Sequence, residues 1–315
     1  MLSDAYLIWV PGGSFVMGSS QFYPEEQPTH RVEVDGFWVD PSPITVAEFR
    51  DFVEATGYVT VAERPLAPTD YPEADPSLLV PGSLVFCKTP GPVDLRDFRN
   101  WWSYVPGANW AVPEGPGSSL AGRERHPVVH VAYEDAEAYA AWAGKALPTE
   151  AEWEFAARGG LEGRVYAWGD TFAPGRRQLA NTWQGEFPWQ NLLEDGFEGT
   201  SPVGSYAPNG YGLYDVTGNV WEWTADFFSP HAPDGPACCV PRNPRVTSPD
   251  ASYGMGTPSA HIPQRVIKGG SHLCAPNYCL RYRPAARQGE AVDTSTAHIG
   301  FRCVVRAETQ EGSSP

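Results

Sequence analysis

The segment K-G-G-S-H-L-C-A-P-N-Y-C-L-R-Y-R, residues 268–283, constrains the fold strongly because it places two cysteines in a C-x4-C spacing. On a helix, five residues turn the chain by about 500°, so Cys274 and Cys279 would diverge by roughly 140°. On a strand, an odd offset puts them on opposite faces. For the two sulfurs to meet, the backbone must bend between them, and Pro276 and Asn277 favour such a turn.

Two thiols brought together in this way have three interpretations that the spacing leaves open. They form a disulfide or redox pair, they bind a metal ion, or they remain two unconnected buried cysteines. If a metal binds, two soft thiolates with no histidine or carboxylate ligand favour Cu(I) over Zn(II). A structural zinc site needs four ligands, and C-x4-C is not among the common zinc spacings.

The composition of the 315 residues predicts a folded protein and argues against several kinds of partner. Hydrophobic residues make up 42% of the chain and include 12 Trp, 14 Tyr and 14 Phe, enough for a large core. The 32 Gly and 32 Pro are dispersed among these aromatics, which predicts ordered irregular loops. A net charge of −16 argues against nucleic acid and against anionic membranes. No apolar run reaches the length of about 18 residues that a membrane span needs.

The start of the chain and the cysteine count predict a cytoplasmic protein. Residues 1–13 contain no basic residue and too short an apolar stretch for a signal peptide. Six cysteines permit disulfides, but a reducing cytosol is the simpler setting. We interpret Cys238 and Cys239 as packed small hydrophobes or an adventitious disulfide, and Cys87 as structural.

Local signals predict three helices and leave much of the chain irregular. Thr45 and Glu48, for example, form a T-x-x-E capping box. Turn signals dominate residues 160–265, where regular structure should be sparse. The predicted helices span residues 45–57, 133–143 and 149–158, and residues 30–39 and 127–129 are predicted strands. His126 and His130 flank the second strand stretch, which argues against a histidine metal site.

Several further sequence motifs along the chain resemble those of a known protein family. They are G-G-S-F-V-M-G at 12–18, L-P-T-E-A-E-W-E at 147–154, A-N-T-W-Q-G-E-F-P at 180–188, N-G-Y-G-L-Y-D-V-T-G-N-V-W-E-W at 209–223 and H-I-G-F-R-C at 298–303. With the cysteine segment, they resemble the formylglycine-generating enzymes, which oxidise a cysteine of newly made sulfatases to Cα-formylglycine. L-P-T-E-A-E-W-E and G-N-V-W-E-W occur throughout the wider superfamily and indicate the fold only. The cysteine pair in its G-G-S frame is the specific part, because family members of other function lack it.

The resemblance implies a fold, a reaction and a substrate. The fold would be a single-domain C-type-lectin-like α+β domain over residues 1–307, with sparse regular structure and long ordered loops, before a flexible tail at 308–315. The protein would be a bacterial-type, copper-dependent oxidase that uses O2 and acts as a monomer on an unfolded sulfatase polypeptide carrying Cys-x-Pro-x-Arg. Oxygen chemistry needs a cofactor, and the absence of Rossmann and P-loop motifs makes flavin, NAD and ATP poor candidates.

The resemblance also implies roles for individual residues. Cys274 and Cys279 would bind Cu(I), with Ser271 in the oxygen pocket beside the copper. Tyr278 would hydrogen-bond near the reacting centre, and Trp221 would line the pocket and position the substrate cysteine. For Tyr278 and Trp221, ordinary core packing is the competing interpretation. Structural roles around the pair would fall to His272, Arg281 and Arg283.

Two loops are candidates for calcium binding. The loop from Asp215 to Glu222 offers two carboxylates around a tight glycine turn, although such a loop is more often a turn with ordinary hydrogen bonds. The resemblance implies two structural Ca2+ ions that order the long loops. One would bind Asp215, Glu222 and the carbonyls of Gly218 and Val220, and the other Asn181, Asp195 and the carbonyls of Thr182 and Phe197.

Three other functions compete with the copper oxidase. A binding module of the same fold would have no need of both Cys274 and Cys279. A relative of the iron-dependent sulfoxide synthases would need a three-histidine site and an additional helical domain. Thiol–disulfide exchange by the cysteine pair would proceed without metal or O2.

Overall fold

Regular secondary structure is sparse, as the sequence predicts. The computed structural model describes residues 6–66, 68–69, 75, 79–231, 240–253 and 262–307, and these contain three α-helices and eleven short strands. The helices are α1 Val46–Thr56, α2 Tyr133–Trp142 and α3 Glu150–Arg158. The strands are β1 Ile8–Val10, β2 Gly13–Met17, β3 His30–Val34, β4 Phe37–Val39, β5 Gly82–Phe86, β6 Trp102–Pro106, β7 Trp221–Phe227, β8 Gln264–Lys268, β9 Arg287–Ala291, β10 Ile299–Gly300 and β11 Val304–Arg306.

Some sequence-based expectations concern other parts of the chain. Cys238, Cys239 and the predicted tail at 308–315 lie outside the described residues. No helix in the part of the chain that the structure describes is long and apolar enough to cross a membrane.

The three predicted helices are confirmed because each is set by signals within its own sequence. The Glu48 carboxylate accepts a hydrogen bond from Thr45 N at 2.8 Å, and Thr45 Oγ1 accepts one from Glu48 N, which completes the capping box of α1. Thr149 and Glu152 form the same box at the start of α3. Gly57 ends α1 with a φ of 67°, a left-handed conformation that glycine adopts without steric cost.

The two predicted strand stretches have different outcomes. Residues 30–39 form β3 and β4, separated by a two-residue break. The predicted strand at 127–129 is wrong, because Pro127 makes only an isolated bridge to Thr45. His130 then adopts a positive φ of 59°, which ends the extended backbone.

Two sheets join distant parts of the chain and position the candidate site. In a three-stranded sheet, β4 lies between β1 and β11. A four-stranded sheet has the order β10-β7-β8-β9. Glu222 in β7 pairs in register with Lys268 in β8, so residues 268–283 leave this sheet beside the 215–222 loop.

The hydrophobic core includes the cysteine pair. Cys274 and Cys279 belong to the same buried cluster as Trp221 and Tyr282, together with apolar residues of α1 and α2. An aromatic cluster that includes Trp101, Trp183 and Phe187 packs around Leu273 and Ala275, on either side of Cys274. The thiols therefore lie where two parts of the core meet.

A buried group of charges lies next to the cysteine segment. Lys268 Nζ lies 2.8 Å from Glu154 and 3.7 Å from Glu150, and all three side chains are buried. Arg158 binds Glu154 at 2.7 Å, and Arg287 binds Glu150 at 2.6 Å. Burial alone would raise the pKa of Glu154, but the charges of Lys268 and Arg158 lower it to about 2.

The depressed pKa of Glu154 makes stability fall in acid. The unfolded chain takes up this proton near pH 4.3, about the ordinary glutamate pKa, whereas the folded chain resists it to about pH 2. We therefore expect the free energy of unfolding that this ion pair contributes to be fully present above about pH 4.3 and to decline as the pH falls toward 2. Urea unfolding between pH 6 and pH 2.5 measures the decline.

A matched pair of variants assigns that decline to the buried cluster. In the Glu154→Gln protein, the free energy of unfolding should decline less as the pH falls. In Glu198→Gln, which alters an exposed pair with Lys88, it should decline as in the wild type. A wild-type protein whose stability stays constant over this range would contradict the assignment.

Candidate active site

The turn predicted between the two cysteines is present and brings their sulfurs together. Cys274 N donates to Ser271 O at 3.0 Å, and Cys279 N donates to Ala275 O at 2.8 Å, so two successive turns carry the chain back on itself. The Cys274 and Cys279 Sγ atoms lie 3.0 Å apart, beyond the length of about 2.05 Å of a disulfide bond. Both are free cysteines and both are buried.

The two thiols differ in acidity. Burial raises the pKa of the Cys274 thiol well above its ordinary value, and the contact with Cys279 raises it further. For Cys279, the hydrogen bond from Cys274 and the positive charge of Arg281 lower the pKa in spite of burial. The two thiols therefore titrate as a coupled pair that shares its protons across the 3.0 Å contact.

A segment near the start of the chain, residues 22–26, anchors the arginines that follow Cys279; we call it the anchor segment. Arg281 forms an ion pair with Glu25 and lies over the ring of Tyr23 at 4.1 Å. Arg283 forms a buried two-bond pair with Glu26. Leu280 N also donates to Tyr23 Oη at 2.9 Å. Sequence reasoning missed the anchor segment, since no local signal links it to residues some 256 positions away.

The thiol pair opens into a cavity of about 770 Å³. The other three predicted site residues, Ser271, Trp221 and Tyr278, line the same cavity. Trp221 is 3% exposed and belongs to the core, so it is both a packing residue and a wall of the cavity. Tyr278 is 39% exposed and stacks on Phe187 with 4.4 Å between ring centroids. All five predicted residues therefore border one space.

Residues that sequence reasoning missed form the remaining walls of this cavity. Aromatic side chains form one part of the wall: Phe98, Trp101, Trp102 and Tyr104. Polar and acidic side chains form another: Gln264, Gln288, Glu290 and Asp293. A volume of this size suits a short segment of peptide. The missed residues come from separate loops and strands, so no single motif contains them.

His272 does not contact either sulfur by hydrogen bonding. Its Nδ1 contacts Asn219 O at 2.8 Å, and His272 N donates to the same carbonyl. Burial lowers the pKa of His272 to about 4, so the ring is neutral at neutral pH. Its structural role is to join the cysteine segment to the 215–222 loop.

In the first candidate cation loop, residues 181–197, Asn181 and Asp195 have separate hydrogen-bond partners. Asp195 accepts hydrogen bonds from Phe197 N at 3.0 Å and Tyr206 Oη at 2.7 Å. Asn181 uses its amide Nδ2 to donate to Gly199 O at 2.9 Å. Nearby in sequence, the Oγ1 of Thr182 is buried without a hydrogen-bond partner among the described residues.

In the second candidate loop, one of the two carboxylates is already neutralised. Arg302 donates to both oxygens of Glu222 at 2.7 Å, and Trp153 Nε1 donates to one of them at 2.7 Å. Asp215 accepts from Gly204 N at 2.7 Å, and burial raises its pKa to about 6. Gly218 is required here, because an added Cβ would lie 2.4 Å from the Asn181 carbonyl oxygen.

The described residues contain no cluster of three or more His, Cys, Asp or Glu side chains able to hold a metal ion. The cysteine pair and the set with Asp215 and Glu222 each contain two such side chains, and the set with Asn181 and Asp195 contains one. The remaining predicted calcium ligands are amide or main-chain oxygens, at Gly218, Val220, Asn181, Thr182 and Phe197.

Comparison with known proteins places the chain in a family. A family model described as sulfatase-modifying factor enzyme 1-like domain matches residues 3–307. The chain is 56% identical to the formylglycine-generating enzyme of Mycobacterium tuberculosis, over 95% of this chain and 97% of that protein. It is 46% identical to the enzyme of that name from Streptomyces coelicolor, over 97% and 90%. It is also 38% identical to the inactive Cα-formylglycine-generating enzyme 2 of Mus musculus, over 96% and 87%.

The solved structure of PvdO from Pseudomonas aeruginosa shares the fold. It matches with a TM-score of 0.64 at 24% identity, covering 96% of this chain and 94% of that one. The prediction of a single-domain C-type-lectin-like α+β fold with sparse regular structure is confirmed. The family model and the relatives show that the chain belongs to the formylglycine-generating enzyme family, the sulfatase-modifying factors.

Proposed function

We propose that this protein oxidises a cysteine of a sulfatase polypeptide to Cα-formylglycine, with O2 as the electron acceptor. The observation that carries the proposal is the pair of free thiols, Cys274 and Cys279, in contact with each other and open to a large cavity. Relatives named for this activity support it. One relative is named inactive, so family membership alone does not establish activity.

The electron balance defines what the reaction needs. Converting the substrate thiol and its β-carbon to an aldehyde releases two electrons, with the sulfur leaving as hydrogen sulfide and the oxygen coming from water. Reducing O2 to two waters takes four electrons, so the other two must come from a reductant such as an added thiol. No side chain carries out this oxygen chemistry, and a cofactor is required.

The thiol pair fits a soft monovalent metal ion. Cys274 and Cys279 provide two sulfur donors in contact within the core, and soft thiolates select Cu(I). Cu(I), when bound there, would supply the one-electron chemistry with O2. The rest of the site is formed by side chains that bind and orient the peptide.

The walls of the cavity suit an extended peptide with the motif Cys-x-Pro-x-Arg. Flat aromatic faces such as those of Trp101 and Trp102 suit a proline ring, and the acids Glu290 and Asp293 suit a guanidinium. Ser271 is fully buried, and its Oγ accepts from Leu273 N at 3.2 Å, which fixes the hydroxyl at the cavity wall beside the thiols. We propose that the protein acts as a monomer in the cytoplasm, on a sulfatase chain before it folds.

Anaerobic titration with Cu(I), followed by O2 and a thiol reductant, tests the proposal on a Cys-x-Pro-x-Arg peptide. We expect one equivalent of copper to bind, and mass spectrometry to show the aldehyde only when O2 is present. Absence of copper binding by the reduced protein would overturn the proposal. Turnover without copper or O2 would instead establish thiol–disulfide exchange, which the contact between the two thiols also permits.

We also propose that Ca2+ orders the long loops, with the first candidate loop as the better site. Among the described residues, Asp195 receives hydrogen bonds from neutral groups only, and the hydroxyl of Thr182, a predicted ligand through its carbonyl, is buried without a partner. Hard oxygen donors of this kind suit calcium. The second loop fits less well, because Arg302 already neutralises Glu222.

Removing calcium should lower the thermal stability of the wild-type protein. Free Ca2+ at 100 times its dissociation constant would stabilise the fold by about 2.7 kcal/mol, which corresponds to a shift of several degrees in Tm. The Asp195→Asn variant should lose most of the difference between calcium and EDTA, and Asp94→Asn, at an exposed carboxylate, should keep it. Equal melting temperatures of the wild type with and without calcium would contradict the proposal.

A further inference from the structure

The net charge of the two thiolates with a bound metal ion depends on the charge of that ion. Two thiolates with one monovalent ion carry a net charge of −1, and with one divalent ion they are neutral. Cys274 and Cys279 are buried, where an unpaired charge is costly. A fixed positive charge beside the sulfurs would therefore favour the complex with the monovalent ion.

Arg281 provides such a charge at the right place. It lies two residues beyond Cys279 in the chain and lines the same cavity as both cysteines. The guanidinium remains charged at any relevant pH, so its effect does not depend on titration. About a fifth of the side chain is exposed, and one of its donors, Nε, is buried without a partner among the described residues.

The anchor segment holds Arg281 in position. Glu25 pairs with the guanidinium, and the ring of Tyr23 lies 4.1 Å from it. Arg281 lines the cavity of the thiol pair, and Glu25 is not among the lining residues, so Arg281 is the member of this ion pair that faces the space of the sulfurs.

We propose that Arg281 is the fixed counter-charge of the thiol pair and gives the site its selectivity for a monovalent over a divalent soft metal ion. This inference rests on the proposed copper site and deepens it. The complexes of Cu(I) and Zn(II) with the pair differ by one unit of charge, however many protons the free thiols carry. The ratio of the two affinities therefore isolates the electrostatic effect of Arg281.

The ratio of Cu(I) to Zn(II) association constants, measured anaerobically by chelator competition without substrate, tests the proposal. We expect Arg281→Met to lower this ratio by about ten- to a hundredfold, which corresponds to the Coulomb energy of unit charges roughly 6–12 Å apart at an effective dielectric of about 20. Arg281→Lys, which keeps the charge, should change the ratio by less than about threefold. Arg164→Met, at an exposed ion pair, should leave it unchanged.

The possible outcomes distinguish a failure of the proposed role of Arg281 from a failure of the proposed oxidase function. Loss of both affinities in Arg281→Met with an unchanged ratio would mean structural damage alone and would overturn the role of Arg281. A ratio that falls equally in Arg281→Lys would also overturn it, because the charge is then irrelevant. Absence of Cu(I) binding by the wild-type protein would overturn the proposed function itself. The wild-type titration tests this independently of the Arg281 variants.

Discussion

The Cys274→Ser and Cys279→Ser proteins will each form no detectable formylglycine and will lose the bound equivalent of copper. The two sulfurs are in contact, 3.0 Å apart, so each replacement removes one of only two soft donors at the centre. A serine hydroxyl is a hard donor that stays protonated at neutral pH and cannot replace a thiolate. Mass spectrometry of the peptide and chelator competition for Cu(I) measure the two losses.

Cys87→Ser is the matched control for these variants. Cys87 is an exposed free cysteine, and its replacement should leave copper binding and turnover at the wild-type level. Circular dichroism should show that all three proteins remain folded, because serine is close to cysteine in size. Formation of aldehyde by either active-site variant at a rate near that of the wild type would contradict the proposed site.

Lys268→Met should have the largest effect on stability. Lys268 is fully buried between Glu154 and Glu150, and removing it leaves carboxylates in the core with reduced compensation. Breaking a buried pair by removing one partner costs about 3–5 kcal/mol, and we expect a loss of that size in the free energy of unfolding. Urea or thermal unfolding measures it.

Two further variants show whether the loss comes from the unpaired charge. Lys88→Met makes the same substitution in an exposed ion pair and should change stability by less than about 1 kcal/mol. The double variant Lys268→Met, Glu154→Gln should recover part of the loss, because it removes one of the uncompensated charges. A Lys268→Met protein as stable as the wild type would show that Arg158 and Arg287 suffice for the two glutamates.

The parts of the fold that local sequence determines were predictable. The capping box of Thr45 and Glu48 marks the start of α1, and Gly57 marks its end, because these contacts lie within a few residues. The turn between Cys274 and Cys279 follows from the C-x4-C spacing itself. At 127–129, a local run of extended residues predicted a strand, but no partner strand among the described residues continues the ladder beyond one bridge.

The parts of the site that depend on distant pairing were not predictable from local sequence. The pairing of Glu222 with Arg302 joins residues 80 positions apart, and nothing in the 215–222 loop shows that this carboxylate is already bound. Arg281 stands in the conspicuous cysteine segment, but its partner Glu25 lies in an ordinary acidic stretch. In each case the sequence shows which residue types are present, but only the folded structure shows which of them contact each other.

The anchor segment also affects how the protein is made. Glu25 and Arg281 are 256 positions apart, so a ribosome that adds about 5–20 residues per second needs roughly 13–50 s to join them. Until then, Glu25 and Glu26 of the growing chain have no arginine partner. Formation of the thiol site is therefore a late event of biosynthesis, and a stalled nascent chain would expose these two unpaired carboxylates to chaperones and proteases.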